Sequence, residues 1–414
     1  MVETSILKEI EAFASKGALL YNEPLRNHTT FKVGGEADAF LSVKTQEELE
    51  KALQWCHEKE VPYFVMGNGS NLLVSDMGYR GLVISIGKEM SCEHVLQVAL
   101  DGRKKYGWLP AVYPAGDSMP FLSIPAIWVI VLYDCYLHSG DKGFVEQMLP
   151  AAREVLNDYL QFTDETGLVP EHPSWWNFID LAYVNSKADL QGHTAVLNAL
   201  IAAAWRCVAR MGEDREAEKR AQQICCAMKK QLWDSSRKMF RDSDVAGHGF
   251  ELYSAHPAAI LLCYDLMPEL FEELSQQLYG EGVLQPEPYY QRFSVEAALK
   301  TNQIAHCEKE IRRIWGEMVA SDSPTVWELS EHGPRPDSNT ANSCCHAFSA
   351  APLWFCRRVL AGIRPLEPGY KKFVCEPVYK DDFHCVQPTP YGAIEAIQKG
   401  GKLTVNFPPE LERV

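Results

Sequence analysis

Residues 82–91 read LVISIGKEMS, and within this stretch the chain changes from one pattern of secondary structure to another. Before it, short apolar runs at 38–43, 63–66 and 82–86 are bounded by turn residues, which is typical of strands. After it, apolar residues recur with a period of about 3.6, which is typical of helices. The sequence therefore predicts two unrelated parts that meet near Ser91.

The first part is predicted to contain a strand–helix–strand unit. Thr45 followed by Glu48 forms a capping box, in which two side chains satisfy free N–H groups at a helix start, and this predicts a helix over 45–59. Apolar spacing over 4–16 predicts a further short amphipathic helix, and 72–74 is expected to be a strand. Together these elements indicate a βαβ unit.

The second part is predicted to be a stack of helical hairpins. Short turns such as Ser139-Gly140-Asp141 place consecutive helices antiparallel. The helices are expected at 124–139, 143–163, 192–212, 215–232, 253–266, 268–279, 289–301, 304–320 and 343–361. From Pro365 onward Pro and Gly become frequent, and strands expected at 373–377, 392–398 and 402–407 indicate a short β-domain.

The composition argues against two classes of partner. The 414-residue chain has a net charge of −15 and no basic stripe, whereas nucleic acids and anionic membranes are bound by concentrated Lys and Arg. The strongest apolar run, 124–132, is about half the length that spans a bilayer, and the first residues have no signal-like pattern. We therefore expect a cytoplasmic protein with no nucleic-acid and no membrane partner.

The cysteines do not form a recognisable metal or disulfide framework. Thirteen are scattered without a Cys-x-x-Cys spacing, and two pairs are adjacent, Cys225-Cys226 and Cys344-Cys345. Adjacent cysteines are poorly placed for ordinary disulfides or for tetrahedral zinc. We expect buried free thiols in a reducing compartment and no metal site.

The turn Gly67-Asn68-Gly69-Ser70-Asn71 provides the candidate cofactor-binding residues. Successive glycines leave backbone N–H groups free to converge on an anion, and Ser70 and Asn71 add side-chain donors. That chemistry suits a pyrophosphate, although a plain tight turn uses the same residue types.

The context of this turn is more specific. It runs from His28-Thr29-Thr30-Phe31-Lys32-Val33-Gly34-Gly35 to Leu72-Leu73-Val74, and it resembles the start of the UDP-N-acetylenolpyruvoylglucosamine reductase family over roughly residues 5–90. The resemblance implies that residues 67–71 bind the FAD pyrophosphate. Nothing after Ser91 resembles the second half of that FAD domain or the substrate domain, so we expect neither firm FAD binding nor a working reductase.

Five loop clusters in the second part combine aromatic side chains with carboxyl, amide or imidazole groups. Sugars are bound by aromatic faces against their C–H surfaces and by polar groups at their hydroxyls, so such loops at helix ends fit a carbohydrate pocket. One cluster alone is more often part of a core, but five favour a pocket. The clusters lie at 107–114, 175–180, 288–293, 325–328 and 342–352.

These clusters and their order resemble the α-L-rhamnosidase family of six-hairpin (α/α)₆ glycosidases, from about residue 95 to the end. The resemblance implies inverting hydrolysis by two carboxyl groups, one protonating the departing oxygen and one activating water. It also implies that Glu328 is the general base. The substrate-binding side chains expected to line the same cavity are Trp108, Trp175, Trp176, Tyr289, Trp327 and His346.

The family's general acid lies in an acidic segment before the first aromatic loop, where this chain has Arg103-Lys104-Lys105-Tyr106. Of the nearby carboxyls, Glu93 lies at the junction, and Asp101 with Gly102 is predicted to form a turn. Asp180 is the best remaining carboxyl, either as the acid or as a contact to a sugar hydroxyl. As the acid, it should lie about 6.5–9.5 Å from the Glu328 carboxyl.

We therefore predict a multidomain chain, with a partial α/β FAD-binding segment at 1–90, an incomplete (α/α)₆ toroid at 91–362 and a short β-sandwich-like tail at 363–414. The expected function is α-L-rhamnosidase-type glycoside hydrolysis without a cofactor, impaired by loss of the acid segment. The alternatives are a truncated FAD-dependent UDP-N-acetylmuramate dehydrogenase of peptidoglycan synthesis and a fusion with no joint activity. The missing first hairpin would expose apolar helix faces, which predicts aggregation, a homodimer or cover by the N-terminal segment.

Overall fold

The computed structural model describes residues 7–15, 17–29, 34–67, 74–86, 88–111, 120–185, 190–245, 252–320, 326–329 and 346–414. The chain forms two compact units, residues 1–97 with 345–347 and residues 98–344 with 348–414. The three predicted domain ranges stay predictions.

The first unit contains a four-stranded sheet of β1 (Leu19–Pro24), β2 (Glu36–Val43), β3 (Tyr63–Met66) and β4 (Tyr79–Ile86), in the order β1-β2-β4-β3. β1 pairs antiparallel with β2, whereas β2 and β3 each pair parallel with β4. Helix α1 (Gln46–Glu58) connects β2 to β3, which confirms the βαβ unit. The Glu48 N–H donates to Thr45 Oγ1 at 3.2 Å, as the capping box predicts.

Both faces of this sheet are buried, as expected where parallel strands are covered on two sides. Leu41 and Ile84 pack with Trp55 of α1 on one face. Phe40 and Val83 belong to a separate apolar cluster. The alternation along β2 and β4 therefore fixes their register, because a shift of one residue would exchange the two sets.

The helices that follow the sheet are α2 (Lys88–Tyr106), α3 (Ser123–Ser139), α4 (Lys142–Asn157), α5 (Leu181–Asn185), α6 (Ala195–Gly212), α7 (Arg215–Leu232), α8 (His256–Cys263), α9 (Phe271–Leu278), α10 (Gln291–Lys300), α11 (Ile304–Ala320) and α12 (Ala351–Phe355). Gly140, with φ 67°, ends α3 in the left-handed region, and Asp141 accepts a hydrogen bond from the Phe144 N–H at 2.9 Å. This confirms the predicted hairpin turn.

Helix α6 forms the centre of the second unit. It packs against α3, α4, α7 and α8, and it is buried on nearly all sides. Its length and composition would also allow it to cross a membrane, but 83% of it is buried inside the protein, as in a core helix.

Several predicted elements were wrong. Residues 101–102 lie inside α2 and do not form a turn, and α2 itself was not predicted. The stretch 4–16 forms a short 3-10 helix at Lys8–Ala12 in its described part, and 72–73 lie outside the described residues. The predicted helices at 253–266 and 343–361 begin later, because Pro257 and Pro352 occupy first-turn positions, where proline starts a helix.

The chain ends in two three-stranded sheets. One contains β7 (Phe383–Thr389), β8 (Gly392–Lys399) and β9 (Lys402–Asn406), and the other contains β5 (Ile363–Pro365), β6 (Lys372–Cys375) and β10 (Glu412–Arg413). Both sheets contribute to one apolar cluster that includes Phe373 and Ile394. A common core between two small sheets agrees with the predicted β-rich tail.

Among the cysteines that the structure describes, Cys135 differs from the expectation of free thiols. Cys135 is disulfide-bonded. The free cysteines among the described residues are Cys56, Cys207, Cys225, Cys226, Cys263, Cys307, Cys356, Cys375 and Cys385. The expectation of free thiols therefore fails at Cys135.

Candidate functional site

Trp108 is the centre of an aromatic cluster in the second unit. Its ring centroid lies 5.5 Å from that of Tyr159, 5.3 Å from that of Phe162 and 5.4 Å from that of Trp175. Its indole N–H donates to the Phe121 carbonyl at 3.2 Å, and the side chain is buried. Trp108 and Trp175, from loops distant in sequence, are thus in ring contact, and that they line a cavity and contact a sugar stays a prediction.

Trp176 borders the same cluster but is 56% exposed. Its ring lies 5.3 Å from Phe121 and 5.0 Å from Phe178. An exposed indole held by the buried Phe121 ring and the half-buried Phe178 ring offers the flat apolar face that a sugar ring packs against.

Asp180 is buried at 1% exposure, two residues after Phe178. Its Oδ2 lies 2.7 Å from Nε2 of the fully buried His256 and accepts the Glu287 backbone N–H at 3.0 Å. Its Oδ1 is buried and has no hydrogen-bond partner within the described part of the chain. This geometry suits a group that holds its neighbours or one ligand hydroxyl better than a proton donor, because Oδ2 is already occupied.

A second buried carboxyl, Asp242, lies close to this pair. The Tyr183 hydroxyl donates to Asp242 Oδ1 at 2.9 Å, and the Ser254 hydroxyl donates to the same oxygen at 2.6 Å. Burial raises the pKa of Asp242 to about 6, against the hydrogen bonds from Ser254 and Tyr183. The Tyr183 ring lies 4.8 Å from the His256 ring, so both carboxyls belong to one buried polar network.

Tyr289 is joined to this network through Tyr290. The two rings lie 5.1 Å apart, and the Tyr290 ring lies 5.2 Å from the ring of His256. Tyr289 also contacts Phe348 at 4.8 Å. Burial, with the nearby Tyr289 and Asp180, raises the pKa of Tyr290, so its hydroxyl stays protonated. Predicted residues from loops at 175–180 and 288–293 therefore lie in one neighbourhood.

Glu171 was missed in the sequence. It is 9% exposed, and its Oε1 accepts a hydrogen bond from Thr194 Oγ1 at 2.9 Å. Burial raises its pKa to about 7, although the Thr194 hydrogen bond opposes the shift. The available signal was its position four residues before Trp175 in the same loop. His256 was missed because it lies in a stretch predicted only as helix.

The remaining predicted site residues are Trp327, Glu328 and His346. Trp327 packs partly buried against α11 and α12, and its backbone N–H contacts Met318 Sδ at 3.3 Å. Glu328 and His346 are half-buried. Their roles, and the separation between the Glu328 and Asp180 carboxyls, stay predictions.

The segment where the family acid was expected is helical and cationic. Arg103 donates to both carboxylate oxygens of Asp158 at 2.7 and 2.8 Å. Asp101 pairs with Lys104 at 3.0 Å, and its side chain is 61% exposed. Asp101 therefore offers no buried carboxyl near Trp108.

The predicted pyrophosphate turn begins at the end of β3. A Cβ on Gly67 would meet nothing within 4 Å, so the backbone there is open to a phosphate. Asn68, Gly69, Ser70 and Asn71 lie outside the described residues. The fit of FAD to this segment rests on Gly67 alone in the described part of the chain.

The N-terminal part is similar to flavin reductases. Residues 37–103 match the FAD binding domain family. The chain is 47% identical over 91 residues to UDP-N-acetylenolpyruvoylglucosamine reductase from Desulforamulus reducens and 40% identical over 91 residues to that of Alkaliphilus metalliredigens. Each match covers 22% of this chain and 30% of the reductase, so less than a third of the reductase length is present in the match.

Most of the chain has a rhamnosidase-like fold. The GH78 family rhamnosidase of Bacillus sp. GL1 is similar with a TM-score of 0.64 and 21% identity, over 79% of this chain and 37% of that chain. The Streptomyces avermitilis α-L-rhamnosidase complexed with L-rhamnose is similar with a TM-score of 0.60 and 17% identity, over 77% of this chain and 32% of that chain. The rhamnosidase from Klebsiella oxytoca with rhamnose bound is similar with a TM-score of 0.53 and 22% identity, over 66% of this chain and 54% of that chain. The chain therefore joins a reductase-like N-terminal segment to a rhamnosidase-like fold, and it spans about half or less of each solved neighbour.

Proposed function

We propose that this protein is a glycoside hydrolase of α-L-rhamnosidase type that inverts the anomeric configuration. The observation that carries the proposal is the rhamnosidase-like fold over 79% of the chain. It is supported by the contact between the aromatic rings of Trp108 and Trp175 and by the buried carboxyls of Glu171 and Asp180 in the loop that carries Trp175.

In this proposal Trp176 packs against the apolar face of the sugar, since its indole is exposed beside Phe121. Asp180 accepts a hydrogen bond from a sugar hydroxyl through Oδ1, because Oδ2 is occupied by His256 and Glu287. Glu328 removes the proton from the attacking water. The cationic segment before Trp108 leaves the usual place of the acid without a carboxyl, so we expect low turnover.

Hydrolysis of a panel of nitrophenyl glycosides tests the proposal. We expect release of nitrophenol from the α-L-rhamnoside and little or none from α-D-mannoside, α-L-fucoside or β-D-glucoside. Equal rates on all glycosides, or no release from the rhamnoside above a no-protein control, would reject it.

The second candidate function is FAD-dependent reduction in cell-wall precursor synthesis. It is supported by 47% identity to a reductase over 91 residues. Gly67 would approach the FAD pyrophosphate, and bound FAD would supply hydride transfer. The match covers 30% of the reductase, and half of a flavin domain leaves the flavin ring without a wall, so we rank this function second. Flavin absorbance in the purified protein would favour it.

We also propose a cytoplasmic location and a homodimer. Large apolar side chains are exposed in the described part of the second unit, among them Leu353 at 55% and Val319 at 75%. Light scattering at several concentrations tests the dimer, which should dissociate on dilution if these faces are weakly covered.

A further inference from the structure

The loop that carries Glu171 is fixed on both sides by hydrogen bonds. The Asn198 side chain of α6 accepts the Val169 N–H at 2.9 Å and donates to the Val169 carbonyl at 3.0 Å. The Glu171 N–H donates to the Gly192 carbonyl at 2.7 Å. Glu171 therefore has a defined position at the start of α6.

The Glu171 carboxyl has one satisfied and one unsatisfied oxygen. Oε1 accepts from Thr194 Oγ1 at 2.9 Å, whereas Oε2 is buried and meets no hydrogen-bonding group in the described residues. A single neutral donor compensates poorly for burial of a charged carboxylate, so the neutral acid is favoured, with its O–H on Oε2. Buried polar atoms without a partner are rare, and each requires a ligand, a water or a role in chemistry.

Other buried oxygens of the second unit are also without a partner in the described chain, among them Asp180 Oδ1, Asp242 Oδ2 and the Tyr290 hydroxyl. Burial, and after it neighbouring groups that include Asp180 and Glu171, raises the pKa of Tyr290. Glu171 is followed by His172, whose ring stacks 4.4 Å from Trp175. Glu171 therefore directly precedes a residue whose ring packs in the aromatic cluster.

We propose that Glu171 is the proton donor to the departing glycosidic oxygen, in place of the acid missing before Gly107. This proposal rests on the proposed glycosidase function. The Glu171 O–H bond breaks as its proton passes to the glycosidic oxygen, the sugar–oxygen bond breaks, and the aglycone leaves as an alcohol. Water supplies the new sugar–oxygen bond and gives one proton to Glu328. Proton exchange with solvent then restores both carboxyls.

Leaving-group dependence of the Glu171→Gln variant tests the proposal. The glutamine has the same shape and still accepts from Thr194, so folding should be retained. We expect kcat/KM for methyl α-L-rhamnoside, a poor leaving group, to fall by about 10²–10⁴-fold. For the dinitrophenyl rhamnoside, which departs without protonation, we expect less than about a tenfold fall. The matched control is Glu165→Gln, since Glu165 is an exposed carboxyl of the same loop.

The outcomes separate this proposal from the proposed function. An inactive wild type rejects the glycosidase function and this inference with it. An active wild type with equal losses on both substrates, or with no loss, rejects only the role of Glu171.

A pH series on folding gives an independent readout. Because the pKa of Glu171 is raised to about 7 in the folded protein, its contribution to the free energy of unfolding is full below the ordinary pKa of 4.5. That contribution is lost as pH rises through about 7. The unfolding midpoint of the wild type should therefore fall relative to Glu171→Gln between about pH 5 and pH 8. A constant difference would show an ordinary carboxylate, which cannot donate a proton at neutral pH, and would overturn the proposal.

Discussion

The N-terminal sheet and the helical unit retain different features of the proteins that they resemble. The sheet is 47% identical to a reductase over 91 residues, yet of its pyrophosphate turn only Gly67 lies in the described chain, and the match covers 30% of the reductase. The helical unit lies in a match that is 21% identical to a rhamnosidase, yet it keeps the fold and gathers aromatic and carboxyl groups from distant loops. A high local identity thus says little about a site that needs a whole domain, whereas a retained fold can assemble a site from scattered residues.

The largest expected effect is the complete absence of reductase activity. The purified protein should contain no stoichiometric FAD and should not oxidise NADPH with enolpyruvyl-UDP-N-acetylglucosamine, because the match lacks most of the reductase. Flavin absorbance and NADPH absorbance measure this, with the Desulforamulus reducens reductase as a positive control. One FAD bound per chain would contradict this, because it would show that the N-terminal sheet keeps a working cofactor site.

The second effect concerns Glu328. Its replacement in Glu328→Gln should lower kcat on nitrophenyl α-L-rhamnoside by about 10²–10⁴-fold, because water then lacks its general base. Glu317→Gln is the control, since Glu317 is an exposed carboxyl on α11. Unchanged turnover in Glu328→Gln would assign the base to another carboxyl.

Two tryptophans of the cluster should differ sharply. Trp108→Ala should lower the free energy of unfolding by about 3–5 kcal/mol, because the buried indole leaves a cavity among Tyr159, Phe162 and Trp175. Trp176→Ala should cost under about 1 kcal/mol, because that indole is half exposed, but it should raise KM for the rhamnoside. Denaturant unfolding and initial rates measure the two effects. Similar stability losses would mean that Trp176 is a core residue.

The smallest effect is a pH dependence at His193. Its Nδ1 lies 2.6 Å from Asp244 Oδ2 and its Nε2 lies 2.8 Å from Asp164 Oδ2. Burial opposes protonation, but the hydrogen bonds that the His193 ring donates to these two carboxylates raise the pKa of His193 overall. For Asp164 and Asp244, burial alone would raise the pKa. The hydrogen bonds that these carboxylates accept outweigh burial, so the pKa of each aspartate is lowered overall.

The sign follows from these directions. The contribution of His193 to the free energy of unfolding is full below its ordinary pKa of 6.5 and is lost as pH rises through its raised folded pKa. The contribution of the two aspartates is instead lost as pH falls through their lowered folded pKa values. His193→Gln should therefore destabilise the protein by about 1 kcal/mol near pH 5–6 and by less at pH 9. Thermal unfolding across this range measures it, and an equal loss at both ends would mean that His193 acts through packing alone.

Local patterns predicted the elements well where one signal dominated. Thr45 and Glu48 fixed the start of α1, and Gly140 fixed the turn after α3. Helix α2 could not be predicted, because Asp101-Gly102 has the composition of a turn and only pairing within the helix and to Asp158 overrides it. The aromatic loops were identifiable by composition, but Glu171 and His256 were not, since their importance lies in burial and in partners from other loops.

The stereochemistry of rhamnoside hydrolysis tests the central claim most directly. Proton NMR during hydrolysis of nitrophenyl α-L-rhamnoside, with Glu328→Gln as the blank, identifies the anomer of rhamnose that forms first. We expect β-L-rhamnose to appear first and then to mutarotate, because water attacks from the face opposite the departing oxygen. Initial release of α-L-rhamnose, or no rhamnose above the Glu328→Gln blank, would contradict it.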